Sequence, residues 1–225
     1  ASGMKATMLA AMSIELGLRD CVVAGGFESM SNTPHYLPKS RTGLAYGHGQ
    51  VIDGIVKDGL WDVYNDFHMG MCAENCASEF SITREQQDEH AIESYTRAAA
   101  AWKNGDFSRE VIPVEVKSRK GTVVVDTDEE FSRVKFEKIP SLKPAFKSDG
   151  TGTVTAANAS SLNDGASALI VASEAFAIEN GSKPIARILG YADAAKESIQ
   201  FTTAPSDAIP LALARAGIEA KDVDY

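Results

Sequence analysis

Long hydrophobic runs are missing: no stretch of the 225 residues approaches the ~20 apolar positions that a membrane-crossing helix needs. The opening, Ala1 to Lys5, has no basic stretch followed by an apolar one, so it does not read as a secretory leader and a soluble chain is expected. Cysteine is scarce. Cys21, Cys72 and Cys76 are too few to form a disulfide framework in a chain of this size, and free thiols in a reducing compartment are expected. The histidines, His35, His48, His68 and His90, lack the spacing of a zinc site, and Cys72 with Cys76 has no second pair to complete one. This argues against metal catalysis. Positive charge is also short: Lys and Arg number 22 against 31 Asp and Glu, a net charge of -9, the wrong sign for a general nucleic-acid binder. An anionic ligand must therefore be met locally. Neither GxGxxG, nor a phosphate-binding P-loop, nor the GxSxG elbow of serine hydrolases occurs.

What is present is ordinary globular composition, 44% hydrophobic and 24% charged, which excludes disorder and fills one large or two small domains. From Ser2 to Gly17, Met4, Met8, Leu9, Met12 and Leu16 recur at helical spacing, predicting a buried helix. Cys21-Val22-Val23-Ala24 reads as a strand covered on both faces. Prolines and glycines then accumulate between Ser29 and Leu60, the texture of a long excursion from the core. Helices are predicted over Gly70–Phe80 and, from the Thr83-Arg84-Glu85-Gln86 capping box, to Asn104-Gly105. Val111–Val116 and Thr122–Asp126 suggest a hairpin. Further on, Ala168–Ala172 reads as a core strand, followed by a helix from Ser173, a strand starting at Ile185–Leu189, a helix over Ala208–Ala216 and a strand beginning at Asp222–Tyr225. The order is α/β core, an insertion of about 130 residues, then α/β core again. The chain opens on Ala1 inside a helical pattern, and we expect an internal piece of a longer protein.

Two segments could carry chemistry. Phe131–Ser148 holds Arg133, Lys135, Lys138, Lys143 and Lys147 against the single acid Glu137, a place for a phosphorylated ligand, with Phe131, Phe136 and Phe146 offering flat surfaces for a base. A solvated basic loop would read the same way. The run from Gly150 to Ala168 is rich in small residues that let a ligand approach the backbone, although a glycine-rich turn has the same composition.

Four motifs in unbroken order, Ala1-Ser2-Gly3-Met4-Lys5-Ala6, Val23 to Ser31, His68-Met69-Gly70 and Thr153 to Gly165, resemble the thiolases, in particular the acetoacetyl-CoA thiolase (acetyl-CoA acetyltransferase) branch of mitochondrial type. The resemblance implies a five-layered α/β/α/β/α fold of two similar halves with an α+β loop domain that holds coenzyme A. It places 1–30 and 161–183 in the N-terminal half, 31–160 in the loop domain and 184–225 at the start of the C-terminal half. It implies a reversible Claisen condensation of two acetyl-CoA to acetoacetyl-CoA and CoA through a cysteine acyl-enzyme. The catalytic cysteine would precede Ala1 and the other catalytic motifs would follow Tyr225, so no catalytic residue is expected within these residues. The helix from Ser2 could still lower the pKa of an upstream thiol.

The same resemblance assigns Leu60, His68, Met69, Arg133, Lys138, Phe146 and Ser160 to CoA binding. It gives Tyr95 and the carbonyls of Ala156, Ala157 and Ala159 to a potassium ion. It implies a homodimer or homotetramer in the mitochondrial matrix or the cytoplasm. A non-catalytic CoA- or lipid-binding relative is the competing class, distinguished by whether the catalytic motifs are present.

Overall fold

The computed structural model describes residues 2–224. In chain order the elements are α1 (Ser2–Glu15), β1 (Cys21–Ser29), β2 (His35–Tyr36), β3 (Ile52–Asp53), a π-helical turn at Ile55–Leu60, β4 (Trp61–Asp62), β5 (Phe67–His68), α2 (Gly70–Glu79) and α3 (Arg84–Asn104). They continue with β6 (Val114–Ser118), β7 (Gly121–Val125), α4 (Glu130–Arg133), a 3-10 turn at Phe136–Ser141, β8 (Asp164–Ala172), α5 (Glu174–Glu179), a 3-10 turn at Ser198–Thr203 and α6 (Pro205–Ala216), with a last 3-10 turn at Ala220–Asp222. Two compact units result, one from residues 2–72 with 162–224 and the other from residues 73–161.

In the first unit, β1 and β8 pair antiparallel along their whole length, from Cys21 opposite Ala172 to Ser29 opposite Asp164. Side chains alternate between the two faces of such a ladder. The face bearing Ala24 lies under α1, with Gly26 against the backbone of Gly3, and Ala10, Ala11 and Ala24 are buried. The opposite face, bearing Val23, Phe27 and Ile170, is open, with Phe27 87% exposed. The strand expected to be covered on both faces is thus covered on one, because α1 is the element packed on this ladder. For the same reason α1 is only partly buried, and Met4, Leu9 and Leu16 stay exposed. The far end of the ladder is pinned by Asp164, whose carboxylate accepts from the Ser31 amide at 2.9 Å and from the Ser31 hydroxyl.

Two expected strands do not form. Residues 185–189 run without a pairing partner and Ile185 is fully exposed, since a strand needs a neighbour to satisfy its ladder. Ala220–Asp222 is a 3-10 turn closed by Glu219 and Asp222, not a strand start; Tyr225 lies outside the described residues.

The second unit is built on α2 and α3. The capping box at the head of α3 forms as predicted: Thr83 Oγ1 accepts from the Gln86 amide at 3.2 Å and the Thr83 amide donates to Gln86 Oε1 at 2.9 Å. Each such cap contributes about 1 kcal/mol. Gly105, at φ 77°, closes the other end in the left-handed conformation that glycine adopts without a Cβ penalty. β6 and β7 form the expected two-stranded hairpin, two to three residues later than predicted at its first strand.

Candidate functional site

The basic segment folds back on α3. Phe131 stacks on Trp102 at 6.0 Å between ring centroids, and Phe136 meets Tyr95 edge-on at 6.4 Å. These two rings, expected as surfaces for a base, are occupied in packing the segment down, which is a correction to the sequence reading. Anchored this way, α4 and the 3-10 turn after it face the small-residue segment. Between them lies a cavity of about 280 Å³ lined by Tyr95, Glu130, Arg133, Lys138, Ala156 and Ala157, together with Val134, Lys135, Ile139 and Leu142.

Its second wall, 153–158, is held from behind by buried carboxylates. Glu74, 1% exposed, accepts from the Thr153 amide at 3.0 Å, from the Thr153 hydroxyl at 3.0 Å and from the Val154 amide at 2.9 Å. Asn158 folds its amide back on the same turn, accepting from the Thr155 amide at 2.7 Å and donating to the Thr153 carbonyl at 3.1 Å. Gly152 is required by close approach: a Cβ there would stand 2.6 Å from Pro144 Cβ and 2.7 Å from the Lys147 carbonyl. The Val154 carbonyl accepts from the Ala145 amide at 2.8 Å, tying the two segments together.

The cavity's charge is three cations, Arg133, Lys135 and Lys138, against the carboxylate of Glu130. Arg133 also pairs with Glu129, the residue just before its own helix. Tyr95 donates to Glu130 Oε1 at 3.4 Å. Burial, then the Glu130 charge, push the Tyr95 hydroxyl above its ordinary pKa, so it stays a neutral phenol at physiological pH. A cationic rim over small apolar residues suits a phosphorylated ligand.

Of the residues the sequence pointed to, the cavity gathers Arg133, Lys138, Tyr95, Ala156 and Ala157. Ala159 closes the same turn, its amide donating to the Thr155 carbonyl at 2.9 Å. Phe146 is half-buried and Ser160 exposed, and neither lines this cavity. Lys143 and Lys147 do not line it either.

Leu60, His68 and Met69 cluster in the other unit, where the Met69 amide donates to the Leu60 carbonyl at 2.8 Å across the β4–β5 hairpin. All three are half-buried. The Gly70 amide donates to His68 Nδ1 at 2.9 Å, which leaves the proton of the neutral ring on Nε2. Asp62 lies on the same hairpin; burial raises its carboxyl, but hydrogen bonds from Asn65, the Tyr64 amide and Ser198 outweigh it and the net shift is downward. Cys72, 1% exposed, donates to the Ser198 carbonyl at 3.5 Å, and burial followed by the Asp62 charge raises its thiol pKa. Such a thiol is a poor nucleophile. Among the described residues the three cysteines are free and no group of three or more His, Cys, Asp or Glu could hold a metal ion.

Sequence reasoning missed Glu74, Asp88 and Glu130, while Lys135, named in the basic segment, does line the cavity. The signal for the first two was available: Glu74 and Asp88 each stand three residues before a buried alanine, Ala77 and Ala91, so an acid falls on the inward stripe of each helix.

Residues 1–175 match the thiolase N-terminal domain. The chain belongs to the thiolase family. It is 57% identical over 220 residues to a mitochondrial acetyl-CoA acetyltransferase of Gibberella zeae, covering 97% of this chain and 51% of that protein. Identity to acetyl-CoA acetyltransferase 2 of Arabidopsis thaliana is 54%, over 100% of this chain and 56% of the relative. Among solved structures, a thiolase from Ascaris suum in complex with coenzyme A superposes with a TM-score of 0.91 at 45% identity, over 99% of this chain and 56% of that one. The α/β thiolase fold expected from the sequence is therefore the fold observed. The chain spans about half the length of the relatives it matches.

Proposed function

We propose that this chain is the coenzyme A-binding part of an acetyl-CoA acetyltransferase, which condenses two acetyl-CoA into acetoacetyl-CoA and free CoA and runs the reverse thiolysis. The observation that carries this reading is the cationic cavity of the 73–161 unit, in a chain whose net charge is otherwise -9. The shared name of the acetyltransferase relatives and the CoA in the Ascaris complex support it. In this reading residues 31–160 act as the loop domain. Arg133 and Lys138 meet the phosphates, Phe146 the adenine, and Ser160 the pantetheine amides. Leu60, His68 and Met69 wall the pantetheine channel.

The reading adds a potassium ion held by the Tyr95 hydroxyl and the carbonyls of Ala156, Ala157 and Ala159, which are neutral hard oxygens of the kind such a cation takes; Tyr95, Ala156 and Ala157 line the cavity. With three cations on the same cavity, such an ion would bind better once the CoA phosphates are in place. Its contribution would be to stiffen the small-residue wall. A mitochondrial matrix location, with cytoplasm as the alternative, and a homodimeric or homotetrameric assembly complete the reading.

The test uses the complete gene product carrying this sequence: CoA affinity by calorimetry, and acetoacetyl-CoA thiolysis with and without potassium. Binding with turnover is the expected result. Binding without turnover selects a non-catalytic CoA-binding relative, and absence of CoA binding overturns the proposal. Lys138→Ala is expected to weaken CoA about fivefold, the value of one solvent-exposed ionic contact.

A further inference from the structure

We propose that Arg84 and Asp88 are positioning residues that hold the two walls of the cavity at a fixed separation, through a relay running from Ile139 to Asn158. The inference rests on the cavity being the CoA site. The relay starts at the basic wall, where Arg84 Nη2 donates to the Ile139 carbonyl at 2.9 Å. The same guanidinium donates through Nε to Asp88 Oδ2 at 2.7 Å. The other carboxylate oxygen, Asp88 Oδ1, accepts from Asn158 Nδ2 at 2.9 Å. Asn158 in turn holds the Thr153 carbonyl and the Thr155 amide, on either side of Val154 and directly before the Ala156-Ala157 wall.

The links are sheltered from the Ile139 end to Asp88, and Asn158 is half-buried. The side chains of Arg84 and Asp88 are 18% and 9% exposed, Ile139 is 1% exposed, and the charges neutralise each other where water is scarce. Charge-assisted bonds in such a setting are short and about twice as strong as neutral ones. Arg84 and Asp88 sit one helical turn apart at the start of α3, so the helix fixes the spacing between their partners. Neither residue lines the cavity, so the relay acts on ligand binding only through Ile139 and Asn158. Glu74 clamps Thr153 and Val154 independently, so the relay adds the link to Ile139 and, through Asn158, the hold on the Thr155 amide.

Arginine is needed for this geometry because one planar fork serves two acceptors at once. A lysine can keep the pair with Asp88 but not both bonds in the same arrangement. The experiment compares wild type, Arg84→Lys and Asp88→Asn in the complete gene product, reading CoA affinity by calorimetry and amide hydrogen exchange across residues 135–160. Expected is a loss of CoA affinity of about tenfold, the factor that corresponds to about 1.4 kcal/mol, within the range of one hydrogen bond to a charged group. Exchange should speed up at Thr155 and Ala159 and not in α1, and the KM for CoA should rise while kcat at saturating CoA holds.

Unchanged CoA affinity with unchanged exchange in both folded variants would overturn the relay. So would a kcat loss at an unchanged KM. If Asp88→Asn fails to fold, Arg84→Lys alone decides, since it keeps the charge pair. If the wild-type protein binds no CoA, the functional reading fails instead, and the exchange pattern still judges whether the relay holds the walls.

Discussion

At the scale of single residues the chain separates groups that hold structure from groups exposed to a ligand. Cys72 is buried and its thiol pKa is raised, first by burial and then by the Asp62 charge. Mild alkylation near pH 8 should therefore label Cys21 and Cys76 well before Cys72, as read by peptide mass spectrometry; early modification of Cys72 would contradict the packing described. Asp164 shows the opposite shift, its carboxyl held below the usual range by the Ser31 hydroxyl and then the Ser31 amide. A carboxyl with a lowered folded-state pKa contributes stability above its unfolded value and loses it as pH falls through the folded one. Asp164→Ala should thus unfold at lower denaturant than wild type at pH 7, and the difference should shrink on acidification below the ordinary aspartate range. A gap that stays constant with pH would rule out the Ser31 contacts as its cause.

Elements tell the same story through their backbones. Gly25 lies where a Cβ would stand 2.3 Å from the Ser167 carbonyl of the paired strand, a contact that only backbone movement can relieve. Gly25→Ala should cost roughly 1–3 kcal/mol, as overpacking does, and lower the thermal midpoint measured by circular dichroism. The helices were legible because their signals are local: the Thr83 cap, the Gly105 stop, the Ser173 cap accepting from the Phe176 amide and the Gly217 stop are each written in adjacent residues. The strand at 185–189 was misread because an apolar run says nothing about whether a neighbour exists to receive its hydrogen bonds. For the site, composition found Arg133 and Lys138, and the family resemblance found Tyr95, Ala156 and Ala157. Glu74 and Asp88 carried a local sign of burial, but the distant groups they hold, the Thr153 amide and Asn158, lie 70 or more positions away and nothing local names them.

For the whole molecule, charge and apolar surface are unevenly placed. The open face of the β1–β8 ladder presents Val23, Phe27 and Ile170, each at least 72% exposed. Contiguous apolar surface of this kind drives association. The 225-residue chain in isolation should run above its monomer mass in light scattering, and Phe27→Glu should return it toward monomer; a monomeric wild type would show that the face tolerates water. One further consequence follows from the ladder. Ser29 and Asp164 stand opposite each other, so the 134 residues between them leave and rejoin the β1–β8 ladder at a single rung. Two ends only ~5 Å apart can be joined by a tight turn as readily as by a long excursion, and doubling such a length costs about 0.6 kcal/mol in closure entropy. The rung thus sets where the excursion begins and ends and leaves its length almost free of thermodynamic cost, so a change of length within it need not disturb the strand pairing that receives it.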